Sequence, residues 1–556
     1  MNPAPEKMGL GLELNDWTEI QGKLLSGKMS RIQMLDLLKS CADVDNAQTK
    51  YIRIWRNFAV EPMEIAFRVL GLYWGISYDL MFMGYDDSLS FAEITTAGIS
   101  DAIEIIMVDK SHYQLSDEDF DAWLRHREEH LTEISMNKVV TVVVDEEITI
   151  RVLGNEVSRI LPDLNVNSHF DSRYERTTGS RLTPRTHFLI ARELSTAWVP
   201  SFFFPPRKLI AVDLDHTLHE GVLGELLNEV VVNDDFYLLQ QELGVAKSRG
   251  FMLAIISKNN RGDVLGLLNS HPRYRLRESD FVAIEASWDS KQNAMTRILD
   301  KTRINAEAVL FIDDNPIELL QMKATYPQMG VVSAIDGPVV ACQSLSSVPG
   351  YRRQSGDTLG ETRIQDIQSN EQRAALIENG LMSYYQTAKP VFGVSVGNSE
   401  ELDRLVDLGK RSNQFNLTLS RLDEASYKSN ESIWVSLSLK DQFSDSGTIG
   451  GLVIEKSGID DCTIRELFLS CRVLGRGLET SLICQAILQG MNAFNVGSVA
   501  ISWVIGPRNE PAISWLTSTF LNEAPVSPGS VTMLESQIRQ LSEPPQGVKV
   551  EITRRD

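Results

Sequence analysis

Asp213 and Asp215 stand one residue apart, directly after the apolar run 209–212. Along a strand, residues i and i+2 project to the same face, so both carboxylates can meet one ligand at the carboxyl edge of a sheet. One can attack a substrate while the other transfers a proton. Crowded carboxylates repel each other unless a cation or a shared proton intervenes, and Mg²⁺ prefers oxygen ligands. The spacing therefore predicts a Mg²⁺-dependent site.

Further polar groups follow in order, each after its own hydrophobic run. The apolar segment 251–256 ends in Ser257, whose hydroxyl can hold a phosphoryl oxygen. Lys258 and Asn259 come next and are predicted to bind substrate, although a merely solvated Lys258 is an equal alternative. Lys291 opens a helical pattern, and its ammonium group suits the charge on a transferring phosphoryl group. These residue types predict phosphoryl transfer.

The apolar run 308–312 ends in Asp313 and Asp314, which offer the outer metal ligands. A lone Asp-x-Asp-x-Thr pattern could equally be a capping or surface feature, but four motifs in order are more specific. Together they resemble the motifs of the haloacid dehalogenase-like phosphotransferases. The resemblance implies a nucleophile at Asp213, an acid and base at Asp215, phosphoryl contacts at Ser257 and Lys291, and metal ligands at Asp213, Asp215, Asp313 and Asp314. It also implies that Thr217, two residues after Asp215, contacts substrate.

Composition narrows the class of protein. A chain of 556 residues has room for about three to four domains of roughly 150 residues. The net charge of -21 argues against nucleic acid or an anionic membrane as the main partner. Five cysteines without short paired spacings, and an N-terminus without a basic-then-apolar signal, predict a cytoplasmic protein. No segment approaches an uninterrupted membrane span.

The hydrophobic pattern predicts a multi-domain α/β protein with three parts. Residues 1–203 are expected to form an α/β domain, and 204–387 a phosphatase-like domain with a parallel, doubly wound sheet. The stretch between Thr217 and Phe251 leaves little room for a large cap over that site. Residues 388–556 are expected to form a smaller α+β domain with a C-terminal tail.

The third part contains a second possible binding element. Arg472, Gly475 and Gly477 form an Arg-x-x-Gly-x-Gly turn between a predicted strand and a helix that begins at Glu479. Such a turn presents backbone N–H groups and a positive helix end to a phosphate. It resembles the pantetheine pyrophosphate loop of GNAT-type acyltransferases, which implies phosphopantetheine binding by these residues and Arg476. A plain strand-to-helix turn is the alternative.

Cys471 adjoins this turn and is the cysteine best placed for chemistry. Its neighbour Arg472 and the nearby helix start both favour a thiolate, which could accept an acyl group. The alternative is a small buried hydrophobe in a strand, as free cysteines often are.

The combination resembles the FkbH-like proteins, in which a haloacid dehalogenase-like phosphatase is fused to a GNAT-like domain. The resemblance covers about residues 208–520. Before it, Asn57–Pro62 and Gly84–Asp86 look like that family's N-terminal region, a degenerate SGNH-hydrolase fold. The local patterns that carry the resemblance lie at 213–218, 221–225, 311–318, 413–418 and 470–477.

The resemblance implies a specific activity. The family takes D-1,3-bisphosphoglycerate, removes phosphate and delivers a glyceryl unit as a thioester to the phosphopantetheine arm of an acyl carrier protein, for polyketide antibiotic biosynthesis. Asn413 and Asn416 are then expected to contact substrate. A stand-alone Mg²⁺-dependent aspartyl phosphatase whose C-terminal domain only docks a carrier is the second hypothesis, and a non-catalytic scaffold is a disfavoured third.

An acidic carrier would need a local basic rim on this acidic chain. We expect that rim to include Lys410, Arg411, Arg472 and Arg476.

Three histidines mark the limits of the resemblance. Where the family commonly has Asn and Trp-Gly-Gly, this chain has His216 and then His219 before Glu220 and Gly221. Both are expected to be exposed loop residues, with a role in tuning the substrate pocket as the alternative. His187 is expected on a helix face, and no chemistry is assigned to the N-terminal domain.

Overall fold

The structure is a computed structural model. It describes residues 14–40, 48–94, 102–152, 154–160, 169–223, 230–352, 369, 372–412, 414–422, 427, 432–470, 473–506, 509–521 and 523–554. The chain forms two compact units, Met1–Gly360 and Glu361–Asp556. The first holds two sheets and the second holds one, so the protein has a mixed α/β fold. The three-domain boundaries at 203/204 and 387/388 stay predictions. Within the described ranges, no helix is long and apolar enough to cross a membrane.

The first sheet has six strands in the order β2-β1-β3-β4-β5-β6. Strands β1 to β4 are parallel, and β5 and β6 continue the sheet antiparallel. Every residue of β3 is buried, which suits a strand inside a parallel sheet. The strands are β1 (Gln48–Arg56), β2 (Ile76–Tyr85), β3 (Ile103–Asp109), β4 (Lys138–Val144), β5 (Ile148–Val152) and β6 (Asn155–Ile160).

Among the described residues, six α-helices lie before, between or after these strands in the chain. Ser116 caps the longest, because its Oγ accepts a hydrogen bond from the backbone N–H of Asp119. His187 lies buried within α6, as expected for a helical residue. The helices are α1 (Leu14–Leu25), α2 (Arg31–Ser40), α3 (Glu64–Tyr73), α4 (Asp117–Ser135), α5 (Ser172–Thr178) and α6 (Pro184–Arg192).

The second sheet has five parallel strands in the order β11-β10-β7-β8-β9, which confirms the predicted doubly wound sheet. From β7 the chain adds β8 and then β9 on one side, and it afterwards adds β10 and β11 on the other side of β7. The direction of winding therefore reverses between β7 and β10. Ligands bind at such a switch point, outside the carboxyl ends of the strands. The strands are β7 (Leu209–Val212), β8 (Met252–Ser257), β9 (Phe281–Ala286), β10 (Val309–Asp313) and β11 (Gly330–Ser333).

Helices connect these strands, and α1 packs beside them. Gln21 of α1 exchanges two hydrogen bonds with the backbone of Ser333, at 3.0 and 3.3 Å, so the first helix contributes to the packing of this sheet. The connecting helices are α7 (Asp234–Ser248), α8 (Arg261–Ser270), α9 (Lys291–Thr302), α10 (Pro316–Thr325) and α11 (Pro338–Ser346).

The second unit contains a seven-stranded sheet in the order β17-β16-β15-β14-β13-β12-β18. Strands β12 to β15 are antiparallel neighbours, whereas β15 and β16 are parallel. Helix α14 is largely buried against the sheet. The strands are β12 (Val391–Val396), β13 (Ser432–Lys440), β14 (Asp445–Lys456), β15 (Asp461–Leu469), β16 (Ser498–Trp503), β17 (Gly529–Leu534) and β18 (Lys549–Arg554), and the helices are α12 (Leu381–Ala388), α13 (Leu402–Arg411), α14 (Glu479–Phe494), α15 (Glu510–Phe520) and α16 (Glu535–Leu541).

Candidate active site

Asp213 and Asp313 lie side by side at the switch point of the second sheet. Val212 of β7 is in register with Ile312 of β10, and the backbone N–H of Asp213 donates to the carbonyl oxygen of Ile312 at 3.0 Å. The residue that follows each of these two in the chain is an aspartate: Asp213 comes directly after β7, and Asp313 is the last residue of β10. Both side chains are buried. The register of two parallel strands thus assembles a carboxylate pair that is remote in sequence.

Lys291 joins the two carboxylates. Its ammonium nitrogen lies 3.0 Å from Oδ1 of Asp213 and 2.7 Å from Oδ2 of Asp313. It is the first residue of α9, and Ser290 caps that helix by accepting from the backbone N–H of Asn293. Burial alone would lower the pKa of Lys291, but the two carboxylates raise it above its ordinary value. The lysine therefore stays protonated between them.

One lysine does not balance the acidic groups gathered here. Asp213, Asp313 and Asp314 each offer a carboxylate oxygen, and these oxygens lie within 4.8 Å of one another. Burial raises the pKa of all three carboxyl groups, and repulsion from Asp313 further raises that of Asp213. An all-oxygen donor set with excess negative charge fits a hard divalent cation such as Mg²⁺.

The carboxyl group of Asp215 makes different contacts. Its Oδ1 accepts from the backbone N–H of Leu223 at 3.1 Å and lies 3.2 Å from Nε2 of His219. Its Oδ2 accepts from the side-chain amide of Asn259 at 2.9 Å. Burial raises the pKa of Asp215, yet these hydrogen bonds outweigh it, so the pKa lies below its ordinary value. The structure does not bring this carboxylate into the group of three, and its predicted role as a metal ligand stays a prediction.

The predicted substrate contacts surround this arrangement. Asn259 is buried and donates also to Oγ of Ser257, at 2.9 Å. Lys258 is half-exposed and pairs with Glu318 at the start of α10. Thr217 is buried in the turn after β7, where its hydroxyl finds no hydrogen-bond partner among the described residues. A buried hydroxyl without a partner leaves hydrogen-bonding capacity for a ligand or a water molecule.

His219 is the clearest departure from the sequence-based expectation. The prediction that it is an exposed loop residue is wrong, because its side chain is fully buried. Its Nδ1 lies 3.0 Å from the hydroxyl oxygen of Tyr274, which is buried as well. His216 is exposed, as expected, and has a left-handed backbone with φ of 55°. Tyr274 was missed because it belongs to no recognisable motif. Leu223 lies in the 221–225 pattern, but its contact uses a backbone N–H group, which the identity of the side chain does not reveal.

The glycine turn of the second unit has a geometry that glycine favours. Gly475 and Gly477 have φ of 80° and 68°, and a Cβ on Gly477 would lie 2.7 Å from the hydroxyl oxygen of Tyr385. The backbone N–H of Gly475 donates to the carboxylate of Glu479, in the first turn of α14. The chain's own carboxylate thus occupies one of the N–H groups that were predicted to bind a phosphate.

Arg476 does not belong to an exposed basic rim, and that part of the prediction is wrong. Its side chain is buried and lies 3.6 Å from Oδ2 of Asp441, which Arg373 also contacts at 2.7 and 2.8 Å. Lys410 is exposed. Asn413, Cys471 and Arg472, together with the side chain of Arg411, lie outside the described residues.

Asn416 belongs to a short segment that enters the third sheet, which is the seven-stranded sheet of the second unit. Strands β15 and β16 pair only as far as Ile464 and Ile501. Beyond that point, Phe415–Leu417 lies between them: Leu417 N–H donates to Leu467, Leu469 N–H to Phe415, and Val504 N–H to Leu417, each at 2.9 Å. The side chain of Asn416 is buried and accepts from the backbone N–H of Leu419 at 2.8 Å. The chain's own backbone therefore fills the gap between these parallel strands.

Comparisons with known proteins give distant likenesses. No protein family matches the chain, and no curated protein does. The N-terminal part of protein BF1531 from Bacteroides fragilis, which contains a phosphatase domain and is complexed with Mg, is similar, with 16% identity, coverage of 61% of this chain and 99% of that one, and a TM-score of 0.41. Spermidine N-acetyltransferase from Vibrio cholerae, in complex with CoA and spermine, has 11% identity, coverage of 27% and 98%, and a TM-score of 0.20. Tetrahymena GCN5 has 10% identity, coverage of 25% and 94%, and a TM-score of 0.18.

Proposed function

We propose that this protein is a Mg²⁺-dependent phosphatase of the haloacid dehalogenase type, with Asp213 as its nucleophile. One observation carries the proposal: Lys291 holds two buried aspartates from adjacent strand ends, while Asp215 is held separately by His219, Asn259 and the backbone N–H of Leu223. This arrangement supports attack by the carboxylate of Asp213, which lies beside a cation, and proton transfer by Asp215, which lies apart from the pair.

The chain's own residues divide the reaction into two steps. In the first, a carboxylate oxygen of Asp213 attacks phosphorus, the bond from phosphorus to the ester oxygen breaks, and the protonated form of Asp215, which its lowered pKa makes the minor form at neutral pH, gives its proton to that oxygen. In the second, Asp215 takes a proton from water as the water attacks the aspartyl phosphate, which releases phosphate and restores Asp213. Lys291 stabilises the added negative charge throughout. Mg²⁺, held by Asp213, Asp313 and Asp314, would supply further neutralisation of charge on the phosphoryl oxygens.

The fuller proposal is a glyceryl transferase and phosphatase that converts D-1,3-bisphosphoglycerate into a glyceryl thioester on a cytoplasmic acyl carrier protein for polyketide biosynthesis. The acyl phosphate at C1 of that substrate is already activated for attack by a thiol, whereas the phosphate ester at C3 is inert and needs the Asp213 site. The resemblance to FkbH-like proteins supports this division of labour. Cys471 would accept the glyceryl group before it passes to the pantetheine thiol.

A stand-alone phosphatase with a carrier-docking C-terminal unit is the second candidate. Two observations favour it over the first. Glu479 accepts from Gly475, and Phe415–Leu417 fills the gap between β15 and β16, so neither feature is open to a ligand as it stands.

In the deciding experiment, the purified protein is incubated with D-1,3-bisphosphoglycerate and a phosphopantetheinylated carrier, and the masses of both intact proteins are measured by mass spectrometry. The full proposal expects a glyceryl mass on the carrier, and a glyceryl or phosphoglyceryl mass on a hydroxylamine-labile peptide that contains Cys471. Asp213→Asn should abolish phosphate release from C3 while leaving thioester formation possible. Phosphate release without any loading of the carrier would select the second candidate. Undiminished phosphate release by Asp213→Asn would overturn both.

A further inference from the structure

His219 links Asp215 to a tyrosine that lies 55 residues further along the chain. Its Nδ1 is 3.0 Å from the hydroxyl oxygen of Tyr274, and its Nε2 is 3.2 Å from Oδ1 of Asp215. His219 and Tyr274 are both buried, so water does not compete freely for these contacts. The three side chains therefore form a continuous hydrogen-bonded series that ends at the proposed acid and base.

An ionised carboxylate only accepts hydrogen bonds, so the contact with Asp215 requires a hydrogen on Nε2 of His219, and the tyrosine hydroxyl is compatible with that arrangement. Burial raises the pKa of Tyr274 well above its ordinary value, so its hydroxyl keeps a hydrogen to donate. A neutral imidazole has one donor nitrogen and one acceptor nitrogen. If Nδ1 accepts from Tyr274, then Nε2 bears the hydrogen and donates to Asp215. The reverse tautomer would set the lone pair of Nε2 against a carboxylate oxygen, which is repulsive.

The two oxygens of Asp215 consequently have unequal surroundings. Oδ1 receives two donors, the Nε2–H of His219 and the backbone N–H of Leu223 at 3.1 Å. Oδ2 receives one, from Asn259 at 2.9 Å. An oxygen that already accepts two hydrogen bonds is a poor place for a proton. Among the residues that the structure describes, no second donor reaches Oδ2, so Oδ2 is the oxygen with a free position.

We propose that Tyr274 and His219 are positioning residues that occupy Oδ1 of Asp215 and so leave Oδ2 as the oxygen available to the substrate and to water. This inference rests on the proposed phosphatase function, in which Asp215 gives a proton to the departing oxygen and later recovers one from water. Neither ring touches the substrate. Their effect is to fix which oxygen of Asp215 exchanges protons.

The consequence depends on the leaving group. An alkoxide needs its proton as the bond from phosphorus breaks, whereas a dinitrophenolate leaves readily without one. General acid catalysis contributes roughly 10²- to 10⁴-fold to such reactions. Loss of the His219 donor should therefore slow hydrolysis of an alkyl phosphate and leave hydrolysis of an activated aryl phosphate nearly unchanged.

A pair of substitutions at one position separates the donor from simple packing. In His219→Gln, the side-chain amide nitrogen reaches about where Nε2 lies, so the donor to Asp215 is retained. His219→Asn is too short to supply it, and Tyr274→Phe leaves the donor present but its tautomer unfixed. His271→Gln is the matched control, because His271 packs against Tyr274 and contacts the carbonyl oxygen of Val230 rather than Asp215.

The test measures kcat and KM of the full-length protein with Mg²⁺, on glycerol 3-phosphate and on 2,4-dinitrophenyl phosphate. For His219→Asn we expect kcat on the alkyl ester to fall by roughly 10- to 100-fold, with KM little changed and the aryl ester affected less than about threefold. Tyr274→Phe should show the same selectivity to a smaller degree, and His219→Gln should retain most activity. Equal losses on both esters, or a His219→Gln variant as impaired as His219→Asn, would overturn the inference.

A spectroscopic measurement tests the same contacts without turnover. Protein labelled with ¹⁵N-histidine should show a histidine ring that carries a hydrogen on Nε2, assigned by its loss in His219→Gln, and the signal should change in Tyr274→Phe. A hydrogen on Nδ1 instead would overturn the inference even in an active enzyme. If the parent protein hydrolyses neither ester, the proposed function fails; if it hydrolyses both and the variants show no selectivity, only the positioning role fails.

Discussion

Asn259 donates a hydrogen bond of 2.9 Å from its side-chain amide to Oδ2 of Asp215, 44 residues earlier in the chain. The second hydrogen of the same amide reaches Oγ of Ser257, also at 2.9 Å. Asn259 therefore fixes the distance between the proposed acid and the hydroxyl that is expected to hold a phosphoryl oxygen. The end of β8 is tied in this way to the turn after β7.

Replacing Asn259 with Ala should lower kcat about tenfold or more, because hydrogen bonds to charged groups are worth about 1.5–3 kcal/mol. The neighbouring Asn260 provides a control, since its Oδ1 caps α8 by accepting from the N–H of Gly262. Asn260→Ala should cost about 1 kcal/mol of stability and leave kcat largely intact. Steady-state kinetics and urea unfolding of both variants would compare the two. Equal activity in the two variants would contradict a role for Asn259 at the site.

Lys291→Met should impair both stability and activity. Removing a buried cation leaves Asp213 and Asp313 facing each other without compensation, which typically costs about 3–5 kcal/mol. The loss of stability should be smaller at low pH, where the carboxyl groups of Asp213 and Asp313 take up protons. Lys247→Met is a matched surface control, since Lys247 pairs with Asp280 where both are partly exposed, and it should cost less than about 1 kcal/mol. Urea unfolding at pH 5 and pH 8 measures both; a pH-independent loss in Lys291→Met would contradict this account.

The stabilisation of the protein by Mg²⁺ should increase with pH. Burial raises the pKa of Asp213 and of Asp313 above the ordinary value of 3.8. A raised carboxyl pKa means that the native state binds more protons than the unfolded state, so without metal these groups reduce stability as pH rises above about 4. A bound cation removes that penalty. The rise in Tm on adding Mg²⁺ should therefore be larger at pH 8 than at pH 5, and Asp313→Asn should reduce the difference; an equal rise at both values would argue against a carboxylate metal site.

Arg476→Ala should destabilise the second unit rather than weaken binding to an acidic partner. Its guanidinium is buried beside Asp441, which keeps a second partner in Arg373. The expected loss is roughly 1–3 kcal/mol, below the full cost of an unpaired buried charge. Lys410 is exposed, so Lys410→Ala should leave the free energy of unfolding within about 0.5 kcal/mol of the parent value. Thermal unfolding distinguishes the two, and a stable, folded Arg476→Ala protein would place the arginine outside the core.

The residues that follow general rules of sheet topology were predictable from sequence. Asp213 and Asp313 come directly after apolar runs, and parallel strands bring their carboxyl ends to one edge whatever the intervening helices are. Lys291 was predictable from its order in the motif series. The motif series predicts which residue types stand at the strand ends. The distances between these residues depend on how the strands pair.

Contacts made by loops and side-chain packing were not predictable in this way. His219 has no local signal for burial, because its partner Tyr274 is brought to it by the tertiary fold. Arg476 lies in a glycine-rich turn that suggested exposure, yet a buried acceptor at Asp441 draws its side chain inward. In both cases a polar residue is buried because a specific partner satisfies it, and the identity of that partner is not written near the residue itself.

The segment Phe415–Leu417 has a consequence for how the third sheet comes apart. Three backbone amides, those of Leu417, Leu469 and Val504, are hydrogen-bonded only while this segment sits between β15 and β16. They belong to parts of the chain far apart in sequence, yet a single local opening would expose all three to solvent exchange together. We therefore expect the part of this sheet that opens cooperatively to include the loop segment as well as the strands on either side of it.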